Sequence, residues 1–127
     1  MRYAGSVLAV LIGSSFVLAD DAKPISTDDA AKMVDKRVTV EMEVKSTGTS
    51  RQGMVFLNSM MNRNDGKNFV IVLKKEAAEK LRKTLNAEPK DHYKGKTLQV
   101  TGTVTQYMNR PQIEVSEPDQ IKIVEKK

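Results

Sequence analysis

The sequence has no cysteine and no tryptophan, a single histidine, and only three phenylalanines and three tyrosines in 127 residues. Without cysteine there is no disulfide and no thiol chemistry, so any fold must hold by its core alone. Most structural zinc arrangements are excluded for the same reason. The lone imidazole, His92, lies beside Asp91 in a loop-like stretch and reads as a surface residue rather than a metal ligand. No Ser-centred nucleophile elbow and no glycine-rich phosphate loop is present, and there is no second histidine to pair with the first. The chain is therefore expected to be no enzyme and to carry no cofactor or metal. Charge of one sign is also scarce. The formal net charge of +5 is mild, and acids are interspersed among the bases throughout, so an anionic partner is permitted but not demanded.

Long hydrophobic runs are missing after residue 18. The one such run opens the chain, where Arg2 precedes an apolar and small-residue stretch to Leu18. Val17-Leu18-Ala19 has the small-x-small form that signal peptidase reads, and Asp20-Asp21 follows at once. The run is at most about 16 residues, short of the roughly 20 that cross a bilayer. Residues 1–19 are thus expected to be a signal peptide, leaving an exported chain, periplasmic or secreted, with no membrane span after cleavage. No cysteine lies near the cleavage point to carry a lipid anchor.

The chain beyond residue 19 is long enough for one small domain. After a polar leader, Ser26 can cap a short helix, with Asp28 and Asp29 at its positive end, running to about Val34. Residues 20–36 form this leader and helix, and the domain proper is residues 37–127. From Arg37 the period changes to two: Val38, Val40, Met42 and Val44 alternate with Thr39, Glu41, Glu43 and Lys45. Glu41 and Glu43 share one strand face, which a solvated face explains. Ser46 to Gly53 reads as a loop by composition, Met54 to Asn58 as a second strand, and Phe69 to Leu73 as a third, the last two apolar on both sides. Lys75 to Leu85 is an amphipathic helix with Ala77, Ala78, Leu81 and Leu85 on one face. Its bases read as a solvated face with local ion pairs to Glu76 and Glu79. Asn86 to Lys94 is a connector. In the fourth strand Leu98, Val100 and Val104 point inward, and Gly102 takes an inward place where a missing side chain lets a strand bend. Met108-Asn109-Arg110 turns into a fifth strand carrying Ile113 and Val115, and Ile121 with Ile123 adds a short sixth segment.

The order is β-β-β-α-β-β with a bending glycine in strand four. That predicts an all-β fold: a five-stranded OB-fold Greek-key barrel, with a helix between strands 3 and 4 and a short N-terminal helix. The segments DAAKMVDKRVTVEMEV, GMVFLN and YKGKTLQVTGTVTQYMNRPQIEVSEPDQIKIV also resemble small bacterial OB-fold proteins and the nucleic-acid-binding OB domains of some secreted nucleases. The resemblance covers nearly all of the chain after residue 19. It implies a binding module for nucleic acid.

OB barrels bind across strands two and three, between the loop joining strands one and two and the loop joining strands four and five. Those loops are Thr47 to Gln52 and Tyr107 to Arg110. Single-stranded nucleic acid asks for cations along phosphates and rings under bases. The candidate cations are Arg51, Arg63, Lys67 and Arg110, the candidate rings Phe56 and Tyr107, and Asn58 and Asn109 are the polar contacts beside them. Phe69 is expected in the core, whereas Phe56 is balanced between core and surface. Met60, Met61 and Met108 are soft ligands of the kind copper(I) selects, but they lack a repeated pattern and read as gap fillers. Two other partner classes are open. One is an envelope protein, glycan or small molecule with no nucleic-acid role, for which the Thr face of strand four and the Met-Asn loop would be the contacts. The other is a strand added to a sheet edge near Gln99 and the Thr row of strand four.

Overall fold

The structure is a computed structural model, and it describes residues 23–124. The expected signal peptide and the start of the leader lie outside the described residues. The elements in chain order are α1 (Thr27–Ala31), β1 (Arg37–Glu43), β2 (Ser46–Thr49), β3 (Val55–Asn58), β4 (Val70–Leu73), α2 (Lys75–Leu85), α3 (Pro89–Tyr93), β5 (Thr97–Tyr107), β6 (Arg110–Val115) and β7 (Ile121–Val124).

The described residues are mostly β, and their strands form one seven-stranded sheet ordered β1-β5-β6-β4-β3-β2, with β7 pairing β5. The expected count of five is corrected for two reasons. The first strand breaks at Val44-Lys45 into β1 and β2, and the C-terminal segment pairs as a strand of its own. With β1 and β2 taken as one bent strand, the neighbour order is first-second-third-fifth-fourth-first, and β4 and β6 run parallel. This is the OB order. The bend lets one strand serve both ends of the sheet, so the sheet wraps without being closed by a further ladder.

Ser46-Thr-Gly-Thr49 is strand rather than loop. Its composition resembles a turn, but β3 supplies a partner, with Gly48 opposite Phe56 and Thr49 opposite Val55. The loop between the two is shorter than expected, Ser50 to Met54. It is closed by Ser50, whose hydroxyl accepts from the Met54 backbone N–H at 3.1 Å. The Asn86–Lys94 connector likewise holds a helix, α3, with Pro89 at its first position. At five residues it is too short to show a period. Its Tyr93 belongs to the core, 4% exposed, and burial pushes the phenol above its ordinary pKa.

Inward residues of every long strand meet in one cluster: Val40, Val44, Leu57, Ile71, Leu98, Val104 and Ile113 are fully buried there. Ala30 of α1 and Ala77 and Ala78 of α2 pack into it. α1 is capped by Ser26, whose Oγ accepts from the Asp29 N–H, but ends at Ala31 instead of near Val34. α2 ends at Asn86, which takes a left-handed conformation.

Gly102 sits where β5 changes partners. Through Thr103 it pairs with β1, and from Val104 it pairs with β6. A Cβ at Gly102 would lie 2.6 Å from Cγ2 of Ile113, so the side chain of β6 occupies the space that the glycine leaves. The 3-10 turn Pro118–Gln120 is tied to the same corner. Gln120 Nε2 donates to the Thr101 carbonyl at 3.0 Å, and its Oε1 accepts from the N–H groups of Ser116 and Glu117. β5 lies between β1 and β7 at Gln99, which pairs with Glu41 and Lys122. The expected free edge at Gln99 is therefore already occupied.

Candidate nucleic-acid interface

Alternation along three strands builds the site. Val55 and Leu57 of β3 and Ile113 and Val115 of β6 point into the core, which turns Phe56, Asn58 and Gln112 to the outer face. The ladder sets Asn58, Val70 and Gln112 in one row across β3, β4 and β6. Over this face lies a cleft of about 400 Å³, within the range of small-molecule and cofactor sites. Its walls are β2 on one side, the β3–β4 loop on another, and the β5–β6 hairpin on the third.

Of the residues expected from the sequence, Phe56, Asn58, Arg63, Tyr107 and Arg110 line this cleft. Arg51, Lys67 and Asn109 do not; they are exposed in the flanking loops and turn. Phe69, at 1% exposure, is core. Phe56 is half-buried, and its β2 partner is Gly48. A side chain there would begin 3.9 Å from Cδ2 of the ring, so the glycine leaves that side of Phe56 open. Tyr107 is 65% exposed on the hairpin wall.

The hairpin turn is a two-residue loop between paired Tyr107 and Arg110. Met108 and Asn109 both have positive φ, 52° and 65°, as the tight hairpin turns that match strand twist require. A methionine there is disfavoured relative to Asn or Gly, yet Met108 stands 78% exposed over the cleft.

The β3–β4 loop, residues 59–69, is shaped by a buried side chain that sequence pattern does not single out. Asn68 is fully buried. Its Oδ1 accepts from the Met60 N–H at 3.1 Å, and its Nδ2 donates to Asn58 Oδ1 and the Arg63 carbonyl, both at 3.2 Å. Ser59 Oγ accepts from the Phe69 N–H at 2.8 Å. The Asn-rich composition is the available signal, but only the tertiary pairing distinguishes this asparagine from Asn62 or Asn64. Arg110 completes the arrangement. Its Nη1 donates to the Arg63 carbonyl and its Nη2 to the Asn64 carbonyl, the latter at 3.0 Å, latching the loop to the hairpin. Arg110 thus commits two of its five donors to the protein and keeps its charge at the cleft.

Electrostatics separate this face from the rest. Among the described residues no aspartate or glutamate lines the cleft. Neither Arg63 nor Arg110 has a carboxylate within ion-pair reach among them, and the Arg63 guanidinium has no hydrogen-bond partner there. The bases around α2 are different. Lys74 pairs with Glu114, Lys80 with Glu117 and Arg82 with Glu88. These partners come from β6 and the connecting turns, not from Glu76 and Glu79 within the helix as expected. Among the described residues no group of three or more His, Cys, Asp or Glu side chains is placed to hold a metal ion. No helix among them is long and apolar enough to cross a membrane.

No protein-family model and no curated protein matches the sequence. Solved structures do match. An Entamoeba histolytica asparaginyl-tRNA synthetase superposes with a TM-score of 0.52 at 19% identity, covering 82% of this chain and 23% of the synthetase. The asparaginyl-tRNA synthetase of Pyrococcus horikoshii gives 0.52 at 13% identity, over 79% of this chain and 22% of that one. The OBody AM1L10, solved bound to hen egg-white lysozyme, gives 0.52 at 17% identity over 80% of this chain and 93% of its own. This chain therefore spans less than a quarter of the synthetases, and at these identities what is shared is the OB-fold.

Proposed function

We propose that this chain is an exported, non-catalytic OB-fold module that binds single-stranded nucleic acid in the cleft over β3, β4 and β6. The observation that carries the reading is the lining itself: two arginines, no carboxylate among the described residues, and the rings of Phe56 on the β3 floor and Tyr107 on the hairpin wall. Phosphates are attracted by unpaired cations, and bases stack on open rings at about 1–3 kcal/mol each. With only two rings and two cations the binding is modest and short in reach. Arg51 and Lys67 lie outside the cleft and extend the attraction along a strand entering or leaving it. That two of the structural neighbours are named as tRNA synthetases supports a nucleic-acid partner. Export rests on the character of residues 1–19.

The test is a titration of the purified chain into a fluorescent single-stranded oligonucleotide, followed by anisotropy at two salt concentrations. Binding weakens with salt, and Arg63→Ala lowers the slope of log K against log salt by about 0.7, the value for one phosphate contact on a single strand. An unchanged slope removes Arg63 from the site. No binding at low salt discards the nucleic-acid reading and leaves an envelope protein, glycan or small molecule as the partner to seek.

A further inference from the structure

We infer that Gln112 reads the edge of one base, with adenine preferred, in the cleft over β3, β4 and β6; the inference rests on that cleft binding single-stranded nucleic acid. Four amide side chains line the cleft. Asn68 is taken up by the loop, and Asn58 is buried against it, accepting from Asn68 through Oδ1. Asn64 lies on the exposed loop at the rim. Gln112 differs from all three. It sits half-buried on the floor, between Val70 of β4 and Thr105 of β5, and its amide has no hydrogen-bond partner among the described residues.

A half-buried amide held by a rigid strand and left with donor and acceptor both open is suited to a ligand that presents the complementary pair. Gln binds adenine in this way, donating to N7 and accepting from the N6 amino group. Position adds a second constraint. Arg110 lies two residues before Gln112 on the same strand and the same face, so their Cα atoms are about 7 Å apart. That spacing is comparable to the span from a nucleotide's phosphate to its base. Phe56 and Tyr107 then flank the base whose edge meets Gln112. Neither neighbour of Gln112 in the ladder, Val70 or Thr105, carries a charge that would repel a phosphate.

The experiment compares four labelled homo-oligodeoxynucleotides of equal length, binding to the full chain and to Gln112→Met and Gln112→Glu, with a thermal melt of each protein. The wild type favours the adenine oligomer over the weakest of the others by about five-fold or more, the lower end for one bidentate contact. Gln112→Met keeps the shape of the side chain, reduces this ratio to near one, and leaves the salt slope unchanged. Gln112→Glu exchanges the donor for an acceptor and moves the ranking towards cytosine, whose N4 amino group donates. Should Gln112→Met unfold the protein, Gln112→Glu alone decides, because a change of ranking is not a consequence of lost stability. A wild type without base preference overturns the inference, as does a wild-type ranking retained by both variants, and either leaves nucleic-acid binding standing. Absence of binding to all four oligomers overturns the underlying reading together with it.

Discussion

Replacing Gly102 by alanine probes the corner on which the sheet turns. The added Cβ lies 2.6 Å from Ile113 Cγ2, whereas carbon atoms in contact rest about 3.5–4.0 Å apart. One of the two must therefore yield by about 1 Å. Ile113 has little room to do so, being fully buried between Ile71 and Val104 of the adjoining strands, themselves fully buried. Its β-branched side chain is also confined to few rotamers. Overpacking of this kind costs about 1–3 kcal/mol. Alanine returns about 0.4–1 kcal/mol by restricting the unfolded chain, since Gly102 does not have the positive φ that would strain it. So short a contact with a fully buried side chain puts the overpacking cost in the upper part of its range, about 2–3 kcal/mol, and the net loss expected is about 1–2.6 kcal/mol, a fall in melting temperature of about 5–20 °C for a domain of this size. Urea unfolding measures it directly, with the midpoint shifted and the m-value unchanged. Ile113→Leu moves the branch away from Cβ, so in the double variant the two changes couple by at least about 0.5 kcal/mol. A neutral Gly102→Ala would refute the packing argument, and strict additivity would refute Ile113 as its cause.

Gly48→Val tests whether the open side of Phe56 matters. The first side-chain atom meets the ring at an ordinary 3.9 Å and valine is the better strand former, so stability is held or rises by up to about 1 kcal/mol. Affinity for single-stranded oligonucleotide falls about five-fold or more as the stacking surface is covered, and an unchanged affinity would count against Phe56 as a platform. Tyr93 predicts an alkaline limit. Burial raises its phenol above the ordinary value near 10, so its contribution is present in full below about pH 10 and is lost as pH rises through the folded-state value. Urea midpoints at about pH 9 and about pH 11 should fall further for the wild type than for Tyr93→Phe, and equal falls would show that burial of this phenol is not linked to folding.

Elements whose periodicity is long or whose chemistry is local are legible in the amino-acid order alone. Alternation identifies the two-faced β1 and the inward set of β5, the Ser26 cap places the start of α1, and the apolar stripe of α2 places that helix. Gly102 as a bend and the hairpin from Tyr107 to Arg110 are legible in the same way. In the cleft, Phe56, Asn58, Arg63, Tyr107 and Arg110 come from the general placement of OB ligands on those elements. Periodicity cannot supply the choice between faces of β3 and β4, because both strands are apolar on each side; the core contacts of Leu57 and Ile71 decide it. Nor can composition reveal β2, since Ser-Thr-Gly-Thr becomes strand only when β3 offers its backbone groups a partner. The hydrogen bonds of Asn68 and the Arg110 latch belong to the tertiary structure as well. Each depends on which carbonyl or amide the folded chain brings within reach, and the latch joins residues far apart in the sequence.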